Sequence, residues 1–448
     1  MTARNDVANR SVRLYLVEAR KIAAASLALV HLLLAPAAPA AEKSPAVRYL
    51  DGLAAEVKAA TRDLPRLTEL AEQAARGLLD GGELYAPPVT PWWTAELSGR
   101  AGGPMRVLRD ASGGGEKDVA VFPLPHPALA TLRTATALQN VLRGRANLYV
   151  LGSDAMVGDY QTPDGTLIGA TRRLACLGGP NVGAGLFKRD NLPPLACYRP
   201  VIEMVRGWVF VGELVAACTQ RGKMPTIWQS IVVPGSRARN ASFKIASGPQ
   251  AGQFPFFCAD RRVSPIPPGR AGRQYLEAIT RYLRGLRGQA EQLKRAGQWM
   301  AEARQAGHRV VAMAQGHAPA LIVGTDNETQ LPIDMYPGDY VKGIVPHAKP
   351  GDAVVAFCYM VIPADKVLET LGKGCKVAIA CPHGLPAELR GKPNLLWLDL
   401  GWPVGDAVVP VPGYDVKMLP ASAVMQMSAL YALVAEMVAR DPSLHPRK

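Results

Sequence analysis

The chain carries few of the residues and motifs that mark the common enzyme classes. Its 448 residues include only 7 histidines and 7 cysteines, with no C-x-x-C pair and no Cys/His cluster at zinc-ligand spacing. It also has no G-x-S-x-G elbow, no Walker A loop, no H-E-x-x-H helix and no intact dinucleotide fingerprint. These absences argue against a zinc enzyme, a serine hydrolase, a P-loop nucleotide hydrolase and a nicotinamide-dependent enzyme, and we expect neither a metal nor a cofactor.

Basic residues outnumber acidic residues, but they are not concentrated in one segment of the chain. The sequence has 51 Lys and Arg residues against 37 Asp and Glu residues, a formal net charge of +14. The bases are spread along the chain, without the lysine block or the ladder of basic and aromatic residues that is typical of a nucleic-acid-binding surface. We therefore predict a basic protein surface and no nucleic-acid partner.

Long apolar runs are scarce, and one of them lies near the N-terminus. Ile22–Leu34 follows five Lys or Arg residues and precedes a stretch of small residues around Ala40. A basic start, a short apolar run and A-x-A sites are typical of a secretory signal, and the run is too short for a comfortable membrane span. We predict a signal peptide over residues 1–41, export to the periplasm or cell envelope, and no other membrane contact. An uncleaved anchor and a cytoplasmic protein remain alternatives, and export would permit one disulfide, for example Cys176–Cys197.

The second half of the chain shows a clear alternation of strand and helix patterns. Buried-strand patterns are predicted at Ala353–Phe357, Lys376–Ala380 and Leu395–Leu398, with a helix pattern at Ala364–Leu371 and a long apolar helix that ends near Arg440. Apolar runs separated by helices predict a parallel sheet, because parallel strands need a crossover and are covered on both faces.

The first half contains similar elements in the same order. Asp118–Val121 parallels Asp352–Val355 at a shift of 234 residues, and Ala146–Leu151 parallels Cys375–Ala380 at a shift of 229. Such equivalences at similar shifts predict two copies of one α/β unit, the first more divergent. The alternative is a chance alignment of two unrelated α/β domains.

Motifs in the second half carry a family resemblance. Gly351–Val355 resembles the strand-opening motif of SIS (sugar isomerase) domains. Gly405–Ala423, with its Gly-Asp-Ala and Pro-Gly-x-Asp-Val segments, resembles the C-terminal part of an uncharacterised bacterial SIS subfamily. Gly316-His317 resembles the glycine–histidine turn of that subfamily, and the similarity extends over about residues 270–440.

The resemblance implies a fold and a position for the ligand. The fold would be α/β, with two flavodoxin-like (SIS-type) parallel-sheet three-layer sandwiches, residues 42–265 and 266–448, packed as a pseudo-dimer. Ligands of such sheets bind outside the carboxyl ends of the strands, and SIS domains hold phosphate in Ser- and Thr-rich turns after the first and third strands. Here Ala318 stands at the serine position of the first turn, and the second turn, Phe357–Pro363, contains no Ser, Thr or Gly. Standard phosphosugar isomerase machinery is therefore incomplete.

Two residues are candidates for catalysis. His317 can act as a general base or open a sugar ring, or it can be a histidine held by hydrogen bonds in a turn. Glu213 interrupts an apolar helix pattern, where an unpaired charge is costly. It is either a catalytic carboxylate, a charge paired with Arg206 or Arg221, or a residue at the edge of the helix.

Five residues are candidates for ligand binding, and four of them have a structural alternative. Gly316 belongs to the first turn, and Tyr359 can stack on a sugar ring or pack in the core. Asp406 can bind sugar hydroxyls or shape a turn, and Ser422 can bind an anion or cap the final helix. Arg100, beside a glycine turn, can clamp a carboxylate or phosphate, or simply end a helix.

These residues lead to three functional hypotheses. The first is an exported SIS-like protein that binds a sugar, amino sugar or sugar phosphate, with weakened or lost isomerase chemistry. The second is an active phosphosugar isomerase that uses His317 and Glu213. The third is a non-catalytic interaction protein of the cell envelope. The predicted partner is thus a small carbohydrate or sugar phosphate, and a homodimer stays open.

Overall fold

The computed structural model describes residues 42–125, 131–161, 168, 171, 173–179, 185–189, 194–315, 331–360 and 362–444. From Ser44 onward the chain forms one compact unit. The predicted signal segment, residues 1–41, lies outside the described residues, as do Gly316 and His317.

Helices account for much of the described chain. In order along the sequence they are α1 (Pro45–Arg62), α2 (Leu64–Leu79), α3 (Pro91–Leu97), α4 (Leu132–Arg143), α5 (Asp154–Asp159), α6 (Arg199–Gln220), α7 (Ser236–Ala241), α8 (Arg270–Arg287), α9 (Ala290–Gln305), α10 (Tyr340–Gly343), α11 (Ala364–Gly372) and α12 (Ser422–Arg440). Short 3-10 turns occur at Ala387–Leu389 and Pro442–Leu444.

The first half folds around a four-stranded parallel sheet. Its strands are β1 (Leu84–Tyr85), β2 (Val119–Pro123), β3 (Asn147–Leu151) and β4 (Leu174–Cys176), in that spatial order. An isolated parallel bridge joins Leu108 to Tyr85, on the edge of β1 that faces away from β2. A small antiparallel pair, β5 (Gly185–Leu186) and β6 (Ala196–Cys197), follows the sheet.

The second half folds around a five-stranded parallel sheet. Its strands are β7 (Val310–Ala314), β8 (Asp334–Pro337), β9 (Ala353–Phe357), β10 (Lys376–Cys381) and β11 (Leu395–Asp399). The spatial order is β11-β10-β9-β7-β8, which is the 2-1-3-4-5 arrangement of flavodoxin-like doubly wound sheets. The predicted α/β fold class and the three strands predicted from the sequence are thus confirmed. An antiparallel pair, β12 (Ala407–Val409) and β13 (Met418–Pro420), precedes the last helix.

Both sheets have the same strand order when the bridge at Leu108 is counted as the second strand. A matching aspartate precedes the third strand of each. Asp118 accepts a hydrogen bond from the backbone N–H of Glu83, just before β1 (2.7 Å), and Asp352 accepts one from Arg309, just before β7 (3.0 Å). Each aspartate also accepts from the N–H three residues before it, at 2.7 and 2.9 Å. The two halves therefore share strand order and a specific local contact.

One helical layer joins the two sheets. Helices α2 and α6 pack on the first sheet, α9 packs across four strands of the second, and α1 contacts both α8 and α12. A single hydrophobic core includes side chains of both sheets and these helices. The outer face of the second sheet buries a separate apolar cluster against α10 and α11, so alternate residues of each central strand enter different cores.

The last helix lies at the centre of this layer. Within the described residues, α12 is the one helix long and apolar enough to cross a membrane, with a mean hydropathy of 1.4, and 94% of that stretch is buried inside the protein. Its apolar character is accounted for by its packing as a core helix. Neither Cys176 nor Cys197 is in a disulfide in the structure, so the bridge considered between them is not formed.

The crossing of α9 and α12 depends on Gly297. A Cβ atom at this position would lie 2.2 Å from the Cβ of Glu436, closer than any real contact. We expect Gly297→Ala to lower the free energy of unfolding by about 1–3 kcal/mol, because the two helices must move apart. Gly285→Ala in α8 is the matched control, since nothing lies within 4 Å of the place that the new methyl group would occupy. It should stabilise by about 0.5–1 kcal/mol. Urea unfolding of both variants measures the difference, and equal effects would contradict the close crossing.

Candidate functional site

A cavity of about 470 Å³ opens at the carboxyl ends of β7, β8 and β9. Gln315 directly follows β7, Gly338 directly follows β8, and Tyr359 comes two residues after β9. Strand β7 lies between β8 and β9 in the sheet. The chain runs from β7 to β8 on one side and then crosses over to β9 on the other side, so the cavity lies at the topological switch point of the sheet. Parallel sheets bind their ligands at this position.

Residues from elsewhere in the chain close the cavity on the other side. The full lining consists of Gly99, Arg100, Ala101, Trp228, Gln229, Ser230, Ile231, Gln315, Gly338, Asp339, Tyr359, Met360 and Asp406. The turn after α3 and the segment before α7 both belong to the first half. The cavity is therefore shared between the two halves.

Asp406 organises the floor of the cavity. Its Oδ1 accepts hydrogen bonds from the backbone N–H groups of Ala421 (3.0 Å) and Ser422 (2.7 Å), at the beginning of α12. Its Oδ2 accepts from the Ser422 hydroxyl (2.9 Å) and pairs with Nη2 of Arg100 (2.9 Å). Arg100 also donates to the Ser422 hydroxyl. A buried carboxylate thus satisfies the N-terminus of the core helix, where the helix dipole favours negative charge.

A second carboxylate lies behind this pair. Oε1 of Glu96, one helical turn before Arg100, is 3.5 Å from the Nε of Arg100 and accepts a hydrogen bond from the Trp208 indole at 3.2 Å. Burial raises the pKa of Glu96, although Arg100 acts in the opposite direction. Arg100 is the cation shared by two buried carboxylates.

Gln315 and Tyr359 form the wall at the ends of β7 and β9. The side-chain Oε1 of Gln315 accepts hydrogen bonds from the backbone N–H groups of Tyr359 (2.7 Å) and Met360 (2.8 Å). The Tyr359 hydroxyl lies 2.6 Å from the Ser230 hydroxyl. Burial raises the pKa of Tyr359 to about 12, so its phenol is neutral at physiological pH. The guanidinium carbon of Arg100 lies 6.0 Å from the centre of the Tyr359 ring.

Four predicted ligand-binding residues come together here. Arg100, Tyr359 and Asp406 line the cavity, and Ser422 contacts two of them, although Arg100 and Ser422 are 322 positions apart in the sequence. In the structure, Arg100, Asp406 and Ser422 bind one another through hydrogen bonds and an ion pair. Gly316 and His317 belong to the undescribed segment, so their roles stay predictions.

The structure places Glu213 away from the cavity. Its carboxylate accepts hydrogen bonds from the backbone N–H groups of Gly269 (2.6 Å) and Gly272 (2.7 Å), at the beginning of α8, and from the Thr68 hydroxyl (3.2 Å). Arg206, one of the two partners considered for it, instead pairs with Asp63 at the end of α1, at 2.6 Å. This arrangement makes Glu213 a cap for a neighbouring helix.

Most of the lining residues were not identified as binding residues from the sequence, among them Gln315, Trp228 and Ser230. Gln315 is the first residue after a predicted strand, and the rule that ligands bind at carboxyl ends of strands could have found it. Trp228 and Ser230 lie in Met224–Pro268, whose many prolines and glycines predict irregular structure with an extended stretch at Ile227–Val233. Trp228 is held against Phe254 with ring centres 4.8 Å apart, a contact with no local sequence signal.

No protein-family model matches the chain, and no curated protein sequence matches it. Several solved structures are similar over most of its length. They include the C-terminal domain of glucosamine-fructose-6-phosphate aminotransferase from Francisella tularensis (TM-score 0.48, 10% identity, covering 91% of this chain and 98% of that one). A candidate sugar-binding protein from Salmonella typhimurium LT2 has a TM-score of 0.43 at 12% identity, covering 86% and 98%. A candidate phosphosugar isomerase from Silicibacter pomeroyi has a TM-score of 0.43 at 12% identity, covering 90% and 100%. TM-scores below 0.5 transfer no function, and the fold assignment rests on the strand order of the chain itself.

Proposed function

We propose that this protein binds a sugar or amino sugar in the cavity at the ends of β7, β8 and β9, with weakened or lost isomerase chemistry. The observation that carries the proposal is the composition of the cavity at the switch point of the sheet. Its walls combine aromatic rings, hydroxyl groups and carboxylates, which are the groups that recognise a polyhydroxylated ring.

The chemistry of the lining suits such a ligand. The rings of Trp228 and Tyr359 offer apolar faces against which the C–H groups of a sugar can pack. Ser230 and Tyr359 carry hydroxyl groups that both donate and accept, and Asp339 carries a carboxylate that accepts from sugar hydroxyls. A volume of about 470 Å³ lies within the range of small-molecule sites and holds a monosaccharide derivative.

The acid–base groups of the described lining are already engaged in other contacts. Asp406 is bound by Arg100 and by the beginning of α12, the Tyr359 phenol is neutral, and Asp339 accepts from the backbone N–H of Lys342 at 2.9 Å. A general base must be within hydrogen-bond reach of its proton and have a suitable pKa. These engagements support a binding role, and His317 remains the candidate base of the alternative isomerase hypothesis.

The proposal includes two further parts. We infer that the two sheets are copies of one unit, supported by their common strand order and by the matching contacts of Asp118 and Asp352. Export through the segment at residues 1–41 is supported by the sequence pattern alone. A homodimer stays open.

Ligand-dependent thermal unfolding tests the proposed function. We expect a sugar or amino sugar to raise the Tm of the full-length protein, because a ligand at a hundred times its Kd stabilises the native state by about 2.7 kcal/mol. Trp228→Ala should weaken this binding about tenfold or more, through loss of the packing surface. Trp397→Ala removes an indole from β11, outside the cavity, and should retain binding. Absence of a shift with any sugar would favour the interaction-protein hypothesis.

A further inference from the structure

We propose that the cavity selects an unphosphorylated sugar that carries an amine, and that Gln315 is the residue that excludes phosphate. The inference rests on the proposed sugar-binding function and specifies its ligand class. It follows from three features of the described lining: two sets of anion-binding donors that the protein itself occupies, and a local excess of negative charge.

The first set of donors lies in the turn after β9. Two successive backbone N–H groups, those of Tyr359 and Met360, point to one oxygen atom at 2.7 and 2.8 Å. Adjacent N–H groups that converge in this way form a site for an anionic oxygen. Here the oxygen is Oε1 of Gln315, a neutral amide of the same chain. A phosphate oxygen could reach these donors only by displacing it.

The Gln315 side chain is held in this position by the sheet. Its backbone N–H donates to the carbonyl of Phe357 at 2.9 Å, which extends the pairing of β7 with β9 by one residue. The residue is 7% exposed. Its amide is therefore part of the buried wall rather than a mobile surface group.

The second set of donors is the beginning of α12. Helix N-termini bind phosphate through free N–H groups and the helix dipole. In this protein the N–H groups of Ala421 and Ser422 both donate to Asp406. Asp406 is fully buried and also pairs with Arg100, so both the helix end and the nearest guanidinium already have an anion.

The net charge of the described lining also disfavours the binding of phosphate. Among the described residues, those that line the cavity with a formal charge are one cation, Arg100, and two anions, Asp339 and Asp406. The described wall is thus formally negative in a protein whose net charge is +14. Like charges at short range in a partly desolvated site repel strongly. The same field attracts an ammonium group, for which Asp339 provides a carboxylate on the wall.

Matched probes and two glutamine variants test the inference. Binding of glucosamine, glucose, glucosamine 6-phosphate and inorganic phosphate is measured by thermal shift and calorimetry on the full-length protein. We expect glucosamine to bind at least tenfold tighter than glucose. Neither glucosamine 6-phosphate nor inorganic phosphate should bind. Gln315→Ala should acquire binding of phosphate and of glucosamine 6-phosphate, gaining at least tenfold. Gln298→Ala, the same change on the exposed face of α9 and outside the cavity, should behave as wild type.

A third variant keeps the test decisive if Gln315→Ala folds poorly. Gln315→Glu retains an acceptor for both N–H groups and adds a negative charge. It should exclude phosphate as wild type does and increase the preference for glucosamine over glucose.

The outcomes separate the two proposals. Wild-type protein that binds glucosamine 6-phosphate as tightly as glucosamine would overturn the selection against phosphate while leaving sugar binding intact. Equal binding of glucose and glucosamine would overturn the preference for an amine. Binding of none of the sugars would overturn the proposed function and the ligand class together. In that case phosphate with Gln315→Ala still decides whether Gln315 blocks an anion site.

Discussion

Arg100→Met is expected to lower the free energy of unfolding by about 3–5 kcal/mol, the cost of removing one partner from a buried ion pair. Arg100 is 1% exposed, and the carboxylates of Glu96 and Asp406 on either side of it are fully buried. Methionine fills a similar volume but supplies no charge. The variant therefore leaves two acidic side chains in the core without the cation that they share.

Urea unfolding followed by circular dichroism measures this cost. Arg109→Met is the matched control, because that arginine is exposed and makes one long hydrogen bond to Ser98 at 3.4 Å. Its effect should stay within about 0.5 kcal/mol. Adding Asp406→Asn to Arg100→Met should recover about 1–2 kcal/mol, since the amide oxygen can still accept from α12 while the buried charge is gone. A loss below about 1 kcal/mol for Arg100→Met would contradict the structural role assigned to it.

The same pair shows what the sequence could reveal about the site. Arg100, Asp406 and Ser422 were each recognised by local context: a glycine turn, a Gly-Asp turn and the beginning of a helix. Their mutual contacts were not predictable, because residues 322 positions apart meet only when both halves pack on one helical layer. The residue types and their local context were enough to identify these members of the site. Their contacts with one another depend on tertiary packing, which the sequence does not show.

Strands and core helices were predictable because their signals are local. Strand β9 begins and ends where predicted, and β10 and β11 differ from the prediction by one residue at their ends. Buried parallel strands are continuous apolar runs, and this pattern needs no knowledge of the partners. Apolar residues also recur at helical spacing along α8, which predicts a buried face, and the structure buries most of them, including Tyr275 and Ile279.

The structural roles of glycines were less predictable, because a glycine can either end a helix or allow two helices to approach closely. The sequence predicts one long helical stretch over Gln274–Ala306, broken at Gly285, Gly288 and Gly297. The break occurs at Gly288, between α8 and α9, whereas Gly285 and Gly297 lie inside helices. The prediction at Gly297 was wrong because this glycine allows α12 to approach closely, which depends on a helix more than a hundred residues away.

The wall of the cavity before α7 was hidden for a similar reason. The sequence of this region is rich in proline and glycine and predicts irregular structure. Its order comes from side-chain contacts: the amide of Asn240 bonds both the N–H (3.0 Å) and the carbonyl (2.8 Å) of Gln229. Arg239 forms a two-pronged pair with Asp415 at 3.0 and 3.1 Å. Such contacts leave no periodic pattern in the sequence.

Glu213→Ala is expected to lower the free energy of unfolding by about 2–4 kcal/mol while leaving sugar binding unchanged. The substitution removes the acceptor of two backbone N–H groups at the beginning of α8, those of Gly269 and Gly272. Each buried donor left without a partner costs about 1–3 kcal/mol. A catalytic carboxylate would show the opposite result, with loss of turnover and little loss of stability.

Glu213→Gln provides a second, pH-dependent readout of the same contact. Burial raises the pKa of Glu213 above its ordinary value of 4.5, and the donors from Gly272 and Gly269 offset part of this rise. The unfolded chain therefore releases this proton at lower pH than the folded protein does. The stability that the group contributes is fully present below about pH 4.5 and declines as pH rises toward the pKa of the folded state. Glutamine does not titrate, so the difference in unfolding free energy between wild type and Glu213→Gln should narrow as pH rises from 4 to 7. A constant or widening difference would show that the carboxylate is ionised in the fold throughout, held by its donors against the cost of burial.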